Sequence, residues 1–187
     1  MMKVSVKEAV RAAARAIGIL DGVNAYLNGE ENEQGARDTE LLVECFNRVE
    51  NELALDYLPL VAEDRITTTT GAVEYAQLRK PAARILSVED GNGDTQKYRL
   101  YPDRLETVAG KLKIVYAYTP CEKGLDGESE YQTAVSQRLF VYGMAAEYSL
   151  AVGELESASA WDKKYKEAIQ AAYRRRPVAR ILARRWV

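Results

Sequence analysis

Apolar side chains recur at helical spacing in four stretches of the chain, and at strand spacing in the region between the second and third of them. In SVKEAVRAAARAIG, Val6, Val10, Ala13 and Ile17 share one face, Ser5 and Glu8 have the capping-box spacing, and Gly18 closes the run. A short helix over about 5–18 is predicted. The next stretch, LDGVNAYLNGEENEQGARD, reads as a loop, its EENE run a solvated connection. In DTELLVECFNRVENELALDYLPL, Leu42, Cys45, Val49 and Leu53 follow i, i+3, i+7 and i+11, and Phe46 widens the stripe. This predicts a long amphipathic helix over about 38–57, stopped by Pro59.

RITTTTGAVEYAQL is rich in β-branched residues, RILSVED and QKYRLY flank the turn residues GNGDT, and KLKIVYAYTP alternates. Residues 64–118 are therefore expected to form a small, largely antiparallel sheet. Helical spacing resumes after Pro120. Ser129 and Gln132 have a second capping-box spacing, Val135, Leu139, Tyr142 and Ala146 fall on one face, and a helix over about 129–152 is expected to end at Gly153. Ala158, Trp161, Tyr165, Ala168, Ile169 and Ala172 then mark a helix over about 155–175 that ends before Pro177. So short a link makes these two helices antiparallel neighbours.

The expected class is α+β, mainly α: a core of about four helices with a small antiparallel β insertion, and an extended C-terminal arm. Residues 1–176 would form the domain and residues 177–187 the arm. Leu42, Phe46, Val49, Leu53, Leu139, Tyr142, Trp161 and Tyr165 are the expected core or interface positions, since aromatic and aliphatic groups at this spacing normally face packing partners.

Charge divides the chain unevenly. Residues 174–187 hold six arginines and no acid, which leaves the rest with 20 basic against 28 acidic side chains, a net charge of −8. A duplex-DNA binder normally carries its basic face on the folded domain, and no such face is evident from the sequence. The chain has no histidine and only two cysteines, Cys45 and Cys121, so a triad, a histidine switch and a four-ligand zinc site are not expected. The two thiols suit a reducing compartment. MMKVSVKEAV lacks the apolar run of a secretory signal, and no stretch approaches the roughly 20 apolar residues of a membrane span. A soluble protein with no membrane partner is expected.

The motifs that suggest chemistry fail on inspection. Asp90, Asn92 and Asp94 open like a calcium loop, but Thr95 and Tyr101 stand where glycine and the bidentate glutamate are needed. Ordinary turn chemistry accounts for the same residues. AGKLK lacks the first glycine and the Ser/Thr of a phosphate loop, and the TTTT run has no partner base. The close carboxylates Glu50 and Glu52, and Glu63 and Asp64, read as surface features. The sequence thus points away from an enzyme, and no catalytic residue, metal or cofactor is assigned.

The phrase LLVECFNRVENELALDYLPLVAEDRITTTTGAVEYAQLRKPAARILSVED, the later KLKIVYAYTP, the helical hairpin and the terminal LARRWV resemble bacteriophage head-to-tail adaptor (head completion) proteins across most of residues 38–187. The resemblance implies a non-enzymatic ring, typically of twelve copies, that binds beneath the portal after packaging and extends the DNA channel. Its implied partners are the portal protein, further copies of itself, a downstream tail or stopper protein, and DNA that passes without sequence-specific binding. Its implied location is the head–tail interface of the virion, with assembly in the host cytoplasm. By the same analogy Arg174, Arg175, Arg176, Arg180, Ile181, Arg184, Arg185 and Trp186 would form the portal-docking arm.

Physical chemistry accommodates this. Arginine pairs bidentately with carboxylates and stacks on aromatic groups, Trp186 and Ile181 offer apolar anchors, and Arg180, Arg184 and Arg185 recur as on one side of a short helix. An acidic channel wall would repel passing DNA everywhere and hold it nowhere. The competing reading is a DNA-binding accessory, packaging or regulatory protein whose tail grips phosphates.

Overall fold

The computed structural model describes residues 3–131 and 137–174. Helices α1 (Val6–Ile17), α2 (Leu20–Leu27) and α3 (Glu33–Glu52) come first, and a π-helical turn, Leu53–Tyr57, ends α3. Six strands follow: β1 (Leu60–Thr68), β2 (Ala72–Glu74), β3 (Ala82–Asp90), β4 (Arg99–Leu100), β5 (Arg104–Glu106) and β6 (Gly110–Tyr118). Helices α4 (Gln137–Ala151) and α5 (Leu155–Arg174) complete the described chain. The class is α+β and mainly α, as expected, but five α-helices are present among the described residues rather than about four.

α1 forms as its sequence predicts. Ser5 is the N-cap, its hydroxyl accepting from the Glu8 N–H at 3.4 Å, and Gly18 closes the helix in the left-handed region at φ 85°. Val6, Ala9, Val10, Ala13 and Ala14 are buried. In α3 and the turn that ends it all five stripe residues, Leu42, Cys45, Phe46, Val49 and Leu53, are buried.

The stretch expected to be a loop holds α2 and the first turn of α3, and the reason lies in two glycines. Asn32, not a residue near 38, is the N-cap of α3, its side chain accepting from Gly35 N–H at 2.7 Å. A Cβ added at Gly35 would lie 2.0 Å from the Gly22 carbonyl oxygen. The glycines that read locally as loop punctuation are the residues that let the α2 and α3 backbones touch. Gly35→Ala is therefore expected to cost about 2–3 kcal/mol in urea unfolding, because the clash is with backbone that cannot rotate away. Gly124→Ala, where an added Cβ meets nothing within 4 Å, serves as the near-neutral control.

The helical core gathers α1 to α5. Phe46 of α3 stacks on Phe140 of α4, ring centroids 4.7 Å apart, and the Tyr148 hydroxyl donates to Asp38 at 2.8 Å, so α3 and α4 run antiparallel. The sequence marked one apolar face of α4 through Leu139, Tyr142 and Ala146. The structure corrects this: of these only Leu139 is buried, Tyr142 and Ala146 are half-buried, and Phe140, Val141, Gly143, Met144, Ala145 and Tyr148 are buried instead, because α4 is enclosed by α1, α3 and α5. Gly143 permits that enclosure; a Cβ there would lie 2.8 Å from Val49 and 3.0 Å from Tyr165. The link to α5 turns at Gly153, φ 85°, and Ala158, Tyr165 and Ile169 of α5 are buried as the spacing predicts.

The insertion begins at Leu60 rather than about 64 and forms two antiparallel sheets, β1-β6-β3 and β2-β5-β4, rather than one. Leu112, Ile114 and Tyr116 of β6 alternate inward and join Val88, Val73 and Leu105 in a second apolar core. The GNGDT turn is present, with the Asp90 carboxylate accepting from the Asn92 and Asp94 N–H groups and from Gln96. QKYRLY does not return as a long partner strand: only Arg99–Leu100 is extended, and it pairs with β5 instead of β3. Residues 119–131 then cross α3 on the way to α4. Gln132 lies outside the described residues; the Ser129 hydroxyl donates to Glu50 and accepts from Tyr131 N–H.

Candidate functional site

The structure places the sequence-predicted residues in three different settings. Leu42, Phe46, Val49, Leu53, Leu139 and Tyr165 are buried inside the helical core. Tyr142 and Trp161 are half-buried side by side on the α4–α5 face, with centroids 5.8 Å apart. Lys164 Nζ lies 4.0 Å from the Trp161 ring and the Arg138 guanidinium 5.8 Å from the Tyr142 ring, so cations cover this aromatic pair. Arg174 is the last residue of α5, while Arg175, Arg176, Arg180, Ile181, Arg184, Arg185 and Trp186 lie outside the described residues.

Two carboxylates that read as surface features are buried instead, and each ties the strand-rich unit together or to the helices. Glu50, 1 % exposed, accepts from the Ser129 hydroxyl and from Glu130 N–H, both at 2.7 Å, and Lys123 Nζ lies 2.7 Å from its other oxygen. Asn47, one turn earlier on α3, exchanges two 2.9 Å hydrogen bonds with the Lys123 backbone. Next to it Glu130 receives Lys80 and the Tyr118 hydroxyl. Burial raises the Tyr118 hydroxyl to about 12, helped by the Glu130 charge. Burial also works to raise Glu130, but Lys80 and Tyr118 outweigh it and hold its carboxyl below the ordinary range. Beside this hub a polar cavity of about 350 Å³ opens between Asn47, Asn51, Pro120 and Cys121.

Asp64 lies at the centre of β1. It accepts from Arg79 N–H at 2.8 Å, from the Tyr116 hydroxyl at 2.7 Å and from the Arg79 guanidinium. Tyr116 in turn accepts from Lys80 N–H at 3.2 Å, so one carboxylate anchors the turn that leads into β3. Burial would raise Asp64, yet these three donors prevail and lower it below the ordinary aspartate value. A depressed folded-state pKa contributes stability above the unfolded value near 3.9 and loses it as pH falls through the folded value. Asp64→Asn is accordingly expected to cost about 1–2 kcal/mol at pH 7, mostly through the two buried hydrogen bonds because the exposed Arg79 side chain is solvent-screened. Urea titrations should show the difference from wild type shrinking as pH drops from about 4 downward.

Asp64 is satisfied by fixed donors, and Glu50 is held by two donors on Oε1 and by the Lys123 charge beside Oε2, which suits anchoring rather than proton transfer to a substrate. No sequence signal identified them, because their partners lie far along the chain. Cys45 is likewise inert: burial, with Glu147 nearby, pushes its thiol up to about 12. Among the described residues no group of acidic, cysteine or histidine side chains is arranged to hold a metal ion, and no helix is long and apolar enough to cross a membrane. The arrangement therefore presents surfaces: a half-buried aromatic pair under cations, and a helix that leads into the arginine segment.

No protein-family model matches the chain, and no curated protein matches it.

Proposed function

We propose that this chain is a structural head-to-tail adaptor of a tailed bacteriophage or a related particle. Copies form a ring under the portal, extend the DNA channel and join the capsid to the tail. The observation that supports this best is the order of parts. A long α3 ends in the ELALDYLPL phrase, a strand-rich unit comes next, and a helical hairpin delivers the arginine segment at its end, in the sequence the adaptor resemblance implies. The segment from Arg174 to Val187 is then the portal-docking arm, with arginine forks for carboxylates and Ile181 and Trp186 as anchors. The chemistry is entirely that of binding.

The cation-covered Tyr142–Trp161 pair favours a second reading, a DNA-binding accessory protein in which these rings and the arginines meet nucleic acid. The net charge of −8 over residues 1–173 weighs against it, since phosphate affinity grows with the charges neutralised. Deleting the gene separates the readings. The adaptor reading predicts packaged, tailless heads that leak DNA and regain infectivity when the purified chain is added; infectious, tailed particles without the chain would refute it.

A further inference from the structure

Helix α1 buries one face in the helical core and carries a different set of side chains on its flank. Lys7, Arg11 and Arg15 stand at i, i+4 and i+8, one above another along a single ridge. None has a carboxylate within ion-pair distance among the described residues, and residues 1–2, 132–136 and 175–187 contain no Asp or Glu. Several other cations of the body, Arg37, Arg48, Arg65, Lys80, Lys113 and Lys123, do face acids.

The corner between α2 and α3 is the complement. Glu30, Glu31 and Glu33 are exposed or partly exposed within four residues, and together with Tyr26, Gly29 and Ala36 they line a shallow concavity of about 750 Å³. Glu30 and Glu31 have no ion-pair partner among the described residues, and Glu33 meets only Arg37 at 3.7 Å, both side chains largely exposed. Such an exposed pair contributes little and is easily exchanged.

We propose that the α1 ridge of one copy seats in the α2–α3 concavity of the next. The inference rests on the ring reading and names the faces that would build it. The two patches differ, so the contact is heterologous, and repeated around a rotation it closes into a ring. Ala12 and Ala16, small residues on the outer side of α1, allow close approach, and Tyr26 offers a ring on which an arginine can stack. Duplex DNA is the poorer occupant: three cations neutralise few phosphates, and the surrounding body repels the rest.

Two variants test this by sedimentation equilibrium at low salt, with circular dichroism to confirm folding. Lys7→Glu/Arg15→Glu makes the ridge acidic, and Glu30→Lys/Glu31→Lys makes the concavity basic. Wild-type chain is expected to self-associate, each variant alone to lose at least about tenfold in association constant, and an equimolar mixture to recover it, because the acidic ridge of one variant then meets the basic concavity of the other. A wild-type chain that stays monomeric at millimolar concentration, variants that associate like wild type, or a mixture that fails to recover would each overturn the proposal. So would a ridge variant that loses retention on duplex DNA while its self-association is unchanged. Portal attachment measured in parallel separates the two claims. Attachment without self-association removes only the interface, and charge-paired self-association without attachment removes only the adaptor reading.

Discussion

Deletion of residues 175–187 is expected to abolish attachment to the portal ring while leaving the thermal unfolding of the chain within about 1–2 °C of wild type. Among the described residues, the apolar side chains packed against the helical core run along α5 as far as Ala172. That piece holds five of the six clustered arginines with Ile181 and Trp186. Tryptophan and arginine dominate binding energy at interfaces, so their joint loss should weaken attachment by at least about a hundredfold. Replacing the arginines by lysine should keep the charge and lose the bidentate geometry, giving an intermediate result. Co-sedimentation with portal rings and differential scanning calorimetry read the two effects separately. A deletion that unfolds the chain would make the segment part of the fold, and one that binds portals normally would end its role as an arm.

Glu50→Ala should be the most destabilising single substitution of a polar residue, at about 3–5 kcal/mol in urea unfolding. Removal of this carboxylate leaves the Lys123 ammonium, only 10 % exposed, without its counter-charge, and leaves the Ser129 hydroxyl and Glu130 N–H without their acceptor. The strap of residues 119–131 links the end of β6 to α3 through these contacts, so its loosening should also raise hydrogen exchange there before the helical core opens. Glu50→Leu combined with Lys123→Met should recover much of the loss, since a buried ion pair replaced as a unit by apolar groups is often neutral. A double variant no better than the single one would mean that the backbone hydrogen bonds, not the buried charge, dominate the hub.

Range along the chain separates the features the sequence revealed from those it concealed. The α3 stripe and the Ser5 cap are local patterns, complete within a few residues, and the structure has both. α2 was hidden because its evidence is a contact: Gly22 and Gly35 look like breakers until their backbones are seen touching. Glu50 and Asp64 looked like surface carboxylates because Ser129 is 79 residues from Glu50 and Tyr116 is 52 residues from Asp64. The candidate arm was legible because composition alone marks it, six arginines against an acidic body. The α1 ridge was written in the sequence too, but its meaning depends on the lack of ion-pair partners among the described residues, which only the packed structure displays.

The central claim is that this chain seats on a portal, and the most direct test is the native mass of purified portal rings mixed with an excess of the full-length chain. A discrete complex is expected, heavier than the portal by a whole-number multiple of the chain's 20.9 kDa that matches the portal's symmetry. Portal rings of unchanged mass, with the chain instead retained on duplex DNA and released steeply by salt, would contradict it.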